Sequence, residues 1–100
     1  MFSRVNFLQT TPDRILDVQR VVQDVVHPGI RGEPGYAGYI VLADRETGKA
    51  LGVTLWETED AREQSDAKAW QIRPRVEQET GGSIQSVERY EVLLLDVPRK

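Results

Sequence analysis

Residues Phe2 to Leu8 alternate in character, with Ser3, Val5 and Phe7 on one side and Phe2, Arg4, Asn6 and Leu8 on the other. That period of two predicts a β-strand, and apolar groups on both sides predict that both its faces are covered. The period then changes. "TTPDR" offers Thr11 as an N-cap, Pro12 at the first helical position and Asp13 near the positive end of the helix dipole. Ile15, Val18, Val22 and Val25 recur at helical spacing, and Leu16, Val21 and Val26 widen the stripe. Valine is a poor helix former, so the period has to outvote propensity here. His27-Pro28-Gly29 is the expected stop, because proline disfavours helical geometry in the residue before it.

Glu33-Pro34-Gly35 predicts a turn, followed by a strand from Tyr36 to Ala43 and a hairpin loop at "DRETGK". Setting Asp44 opposite Lys49, with Gly48 at positive φ, places Tyr39 opposite Thr54 and Ala37 opposite Trp56. The hairpin then has two unlike faces. Ile40, Leu42, Leu51, Val53 and Leu55 make one wholly apolar surface, whereas Tyr39, Gly52, Thr54 and Trp56 lie among small residues on the other. Thr58 is the expected cap of a second helix, with Glu59, Asp60 and Glu63 near its positive end. The polar run Gln64 to Asp66, and Pro74 beyond it, predict a kink or two segments before Gly81-Gly82. A last strand is expected over Ser83 to Leu95, ahead of the polar tail "DVPRK".

The order β-α-β-β-α-β predicts an α+β, ferredoxin-like fold: a four-stranded antiparallel sheet with both helices on one face. The other face is apolar too, and an exposed apolar sheet invites association, so a homodimer is expected. The chain has 100 residues, which predicts one domain over 1–100. A formal charge of -3 lacks the basic excess that phosphate-backbone binding needs, so no nucleic acid partner is expected. With no cysteine and a single histidine, disulfides, thiolate chemistry and a multi-histidine metal centre are excluded. Arg4 and Asn6 interrupt the apolar start, and no apolar run reaches the ~20 residues of a membrane span. No membrane partner is expected, and a cytoplasmic location fits the lack of cysteine.

"EPGYAGYIVL", "GVTLWETEDA" and "SVERYEV" together resemble the small dimeric α/β-barrel proteins of the antibiotic-biosynthesis-monooxygenase-like family, over nearly the whole chain. The resemblance implies several different chemistries, among them cofactor-free quinone-forming oxygenases and haem-degrading oxygenases. The haem-degrading pattern pairs an asparagine on the first strand with a tryptophan and an axial histidine on the second helix. Asn6 meets the first requirement, but alignment from Trp56 puts the other two positions near Ser65 and Arg75, while His27 belongs to the first helix. The cofactor-free branch asks only for a dry pocket, donors for a phenolate and a proton acceptor, and it requires no cofactor.

Asn6, Tyr39, Thr54, Trp56, Trp70 and Arg73 are the candidate pocket residues for an aromatic small molecule. Each has a plainer role beside that one. Trp56 reads first as a large ring closing the end of the sheet, with its N–H on a nearby acceptor. Tyr39 and Thr54 read equally as a cross-strand pair or a pocket floor, and Asn6 as a satisfied buried amide or a pocket donor. Arg73 and Arg75 read as solvated charge, or as a grip on a carboxylate or phenolate. Trp70 reads equally as the buried side of its helix, and His27 is explained by the negative end of a helix dipole. Glu88, Arg89 and Glu91 read as the rim of a dimer. The two functional expectations are conversion of an aromatic molecule without cofactor and a non-catalytic, ligand-binding or stress-related dimeric barrel.

Overall fold

The computed structural model describes residues 1–98, in which four strands form one antiparallel sheet ordered β2-β3-β1-β4. The strands are β1 (Phe2–Gln9), β2 (Tyr36–Asp44), β3 (Lys49–Trp56) and β4 (Ser83–Glu91). β1 is central, pairing with β3 on one side and β4 on the other, as two split β-α-β units require. The helical segments α1 (Ile15–Val21), α2 (His27–Ile30), α3 (Glu59–Gln64) and α4 (Asp66–Thr80) complete the ferredoxin-like fold.

The hairpin register follows from the loop chemistry. Asp44 pairs with Lys49 and Tyr39 with Thr54, and Gly48 takes φ 78°. Glycine is required at 48 because a Cβ there would lie 2.3 Å from the Thr10 carbonyl oxygen. Toward the start of β2 the expected register fails. A bulge between Tyr36 and Gly38 puts Tyr36, not Ala37, opposite Trp56. The extra residue lets the Tyr36 ring meet the Trp56 indole edge-on, with centroids 5.9 Å apart.

The first helical run differs from expectation at both ends. Thr11 is at the N-cap position of a 3-10 turn over Pro12–Arg14, but its side chain makes no capping bond. His27-Pro28 does not stop the run. Val22–Val26 forms a π-turn in which His27 N–H bonds the Val22 carbonyl, and helix resumes to Ile30. The wider turn relieves the crowding that a proline ring imposes on the turn before it, so the chain passes Pro28. Leu16 is exposed; the buried stripe is the narrower set Ile15, Val18 and Val21.

Thr58 caps α3, its hydroxyl accepting from Ala61 N–H at 3.0 Å. The second helical region is in two pieces, broken at Ser65, and α4 runs straight through Pro74. β4 stops at Glu91 rather than Leu95, because β1 begins at Phe2, which faces Glu91, and offers nothing further to pair with. Val92 N–H still reaches the Met1 carbonyl at 2.9 Å. The expected polar tail ends at residues 99 and 100, outside the described residues.

Candidate active site

Alternation along β1 sends Arg4, Asn6 and Leu8 to the same side as Tyr39 and Val41 of β2 and Ala50, Gly52 and Thr54 of β3. The helices cover this side, and a cavity of about 80 Å³ remains between them and the sheet. Its apolar wall comes from Val18 and Val21 of α1, Val22 and Val26 of the π-turn, and Ile72 and Val76 of α4. The valines that make a poor helix thus supply a branched, inert lining.

Of the candidate residues, Asn6, Tyr39, Thr54 and Arg73 line this one cavity. Burial pushes the Tyr39 hydroxyl up to about 12; Tyr36 adds to the rise and Arg4 opposes it. Tyr39 therefore stays neutral and donates. Gly52 gives its ring room, since a Cβ at 52 would sit 3.1 Å from the hydroxyl oxygen. Arg73 comes in from α4, its guanidinium stacked on Trp70 at 4.2 Å from the ring centroid. Its Nε is buried without a hydrogen-bond partner.

Trp56 and Trp70 are outside the lining. Trp56 is 0% exposed, and its indole N–H donates to Thr54 Oγ1 at 2.9 Å, while the Thr54 hydroxyl contacts the Arg4 carbonyl at 3.4 Å. It closes the end of the sheet and holds the hydroxyl of Thr54, a residue that does line the cavity. Trp70 is 64% exposed and borders a shallow outer groove that shares Arg73 and Ile84 with the cavity. The buried helix side expected for Trp70 is taken instead by Ala69, Ile72, Arg73 and Val76. Arg75 points away and pairs with Glu79. His27 neighbours Tyr36, ring centroids 6.2 Å apart, and is also outside the lining.

Sequence reasoning missed Arg4. It is 1% exposed, and its Nη1 donates to Ser65 Oγ and Asp66 Oδ1, each at 2.8 Å, and to the Arg62 carbonyl at 3.2 Å. Its guanidinium stands 5.5 Å over the Trp56 ring. Burial pulls its pKa down; Asp66 counters this, and the charges of Arg89 and Arg73 add to the lowering. The signal was present, because a charge at position 4 shares a strand face with Asn6 and Leu8. Asp66 also holds Arg89 of β4 at 3.0 Å, so this acid, on the α3-α4 break, ties β1 and β4 together. Glu88, expected at a rim, accepts from the Tyr90 hydroxyl.

The cavity is therefore largely apolar-walled and rich in donors, with Arg4, Arg73, Asn6, Tyr39, Thr54 and Thr80 as its polar residues and no carboxylate or imidazole in its lining. Such a site stabilises a negative charge on an apolar body. It does not suit haem: the cavity, at about 80 Å³, is far smaller than a porphyrin, and no imidazole lines it.

The chain matches the family model for antibiotic biosynthesis monooxygenase over residues 1–78. The chain belongs to the antibiotic biosynthesis monooxygenase family. Two uncharacterized proteins of Mycobacterium tuberculosis, Rv2557 and Rv2558, are 35% and 34% identical to it over 71% and 74% of this chain. The chain spans only 31% of the length of either relative. Among solved structures, the monooxygenase from the ActVA-Orf6 gene of Streptomyces coelicolor, in complex with nanaomycin D, is similar with a TM-score of 0.71 and 15% identity. That match covers 98% of this chain and 91% of that one. MhuD with two manganese protoporphyrin IX molecules per active site is similar with a TM-score of 0.65 and 20% identity, over 99% and 100% of the two chains. These structural likenesses carry the family fold across its whole length; the cavity chemistry belongs to this chain's own residues. Among the described residues no helix is long and apolar enough to cross a membrane.

Proposed function

We propose that the protein binds an aromatic small molecule in the cavity between sheet and helices and oxidises it with dioxygen, without a cofactor. The observation that carries this reading is the donor-rich lining without a carboxylate: Arg4, Arg73 and a neutral Tyr39 set in a wall of valines. A bound phenol loses its proton more readily beside two guanidinium groups, and the phenolate so formed is electron-rich enough to react with dioxygen. In the net reaction the ring gives up one C–H and one O–H hydrogen. One dioxygen atom becomes the new quinone oxygen and the other leaves as water. Asn6 and Thr54 would orient the ring, and the valines would exclude water.

The family membership and the ligand named for the Streptomyces coelicolor relative support an aromatic substrate. Oxygen uptake tests the reading: metal-free protein with hydroxylated aromatics of a single ring should consume one dioxygen per quinone formed. Thermal stabilisation by such compounds with no oxygen uptake would establish the second reading, a ligand-binding barrel without catalysis. One observation favours that alternative, since no carboxylate or imidazole lines the cavity to take up a proton.

We also propose that the protein works as a homodimer in which a second copy covers the outer face of the sheet. Ile40 and Leu42, exposed by 40% and 51% on the side away from the helices, support this.

A further inference from the structure

Two arginines meet one small cavity with their hydrogen bonding incomplete. On Arg4 only Nη1 is engaged by protein acceptors among the described residues, and its buried Nε has none. Arg73 makes no ion pair among the described residues, and its Nε is buried without an acceptor as well. Arg4 does hold Asp66, as Arg14, Arg20, Arg75 and Arg89 each hold a carboxylate; Arg62 Nε is likewise buried without an acceptor, but Arg62 does not line the cavity. Burying guanidinium donors against valine and isoleucine is unfavourable unless something accepts from them. Asp66 balances the charge of Arg4, while Arg73 has no carboxylate partner among the described residues, so one positive charge at the cavity is left uncompensated.

Size restricts the occupant further. The cavity measures about 80 Å³, whereas an apolar cavity that takes benzene is of order 150 Å³. One ring is therefore the upper limit, with the half-buried Arg73 as the wall that gives. A carboxylate offers two oxygens and four lone pairs to guanidinium forks, where a phenolate offers one oxygen.

We propose that the cavity is a receptor for a compact organic carboxylate, one ring or smaller, held at its carboxylate by Arg4 and Arg73 with its apolar body against Val18, Val22 and Val26. The inference rests on the reading that this cavity is the ligand site, and it names the class of ligand. Arg4 is the fixed anchor, locked through Nη1 to Ser65 and Asp66; Arg73 is the adjustable one. Because Asp66 also bears on Arg89, the anchor is braced from β4.

Benzoate is the probe. Calorimetric titration of the full chain at constant ionic strength should show one saturable site per chain, with thermal stabilisation that grows with benzoate concentration. Benzamide, the neutral isostere, should bind about tenfold or more weakly, and 9-anthracenecarboxylate should not bind. Arg4→Gln risks the fold, so the deciding variant is Arg73→Gln at the half-buried position. It should lower benzoate affinity about tenfold while leaving benzamide unchanged. Equal binding of benzoate and benzamide, no saturation by millimolar benzoate, or tighter binding of the anthracene acid would each overturn the proposal. Oxygen uptake with a neutral phenol by a protein that ignores benzoate would overturn the carboxylate and leave the oxidation reading standing. Benzoate binding without turnover of any phenol would do the reverse.

Discussion

Trp56 shows how one residue can shape a site without lining it. Its indole N–H is buried and has Thr54 Oγ1 as acceptor, so Thr54→Val leaves a donor stranded beside an added methyl group. We expect that change to cost about 1–3 kcal/mol of stability in urea unfolding. In a Trp56→Phe background, where no donor is stranded, the same change should cost clearly less; an equal cost in both would disprove the link. Trp56 was legible as a packing ring because aromatic residues at strand ends usually are. For Arg4 the alternation with Asn6 and Leu8 gave the face, but not the partners that let a charge be buried there. Its burial depends on Ser65 and Asp66, some sixty residues away, which no local pattern announces. The candidate cluster was legible where strand alternation alone decides the face, as for Asn6, Tyr39 and Thr54. It failed at Trp70, where helix rotation decides and α4 turns the indole outward.

At the scale of elements, local rules told most where a glycine or a cap forces geometry: Gly48 in the hairpin and Thr58 before α3. They misread the prolines. Pro28 was expected to end a helix and is instead passed by the π-turn, and Pro74 lies inside α4, whose packing on α1 and the cavity holds it helical. The end of β4 was illegible for another reason, since a strand ends where its partner does and the partner is at the far end of the chain. Pro74 is then a local penalty tolerated by the tertiary structure. Its ring occupies an exposed position and withholds the N–H that would bond the carbonyl one turn back. We expect Pro74→Ala to stabilise the protein, by about 1–3 kcal/mol in denaturant unfolding, and to raise helical circular dichroism. A loss of stability would mean that Pro74 packs against Trp70 or Glu77 in a way that α4 needs.

At the scale of the whole molecule, the sheet has apolar residues on both faces, and the helices of the described residues cover only one. Asn6, Tyr39 and Thr54 face those helices and define the cavity; Ile40 and Leu42 look the other way. The tail beyond β4 adds to that imbalance, with Leu93 exposed by 90%. A second copy is the partner that meets the apolar β2-β3 part of this face with the same apolar surface, and an isologous contact of sheet on sheet closes after two copies. Leu42 faces outward opposite Leu51 across β2 and β3, one same-face step in from the Asp44–Lys49 pair. Leu42→Glu would place an unpaired carboxylate in the middle of that contact, where burial is strongly unfavourable. Sedimentation at micromolar concentration should therefore give twice the chain mass for the wild type and the single-chain mass for Leu42→Glu. The variant should keep its circular dichroism, because Leu42 is exposed in the monomer and the helix-side core is untouched. A wild type that sediments as a monomer would refute the dimer outright, and a Leu42→Glu dimer would move the contact to another surface.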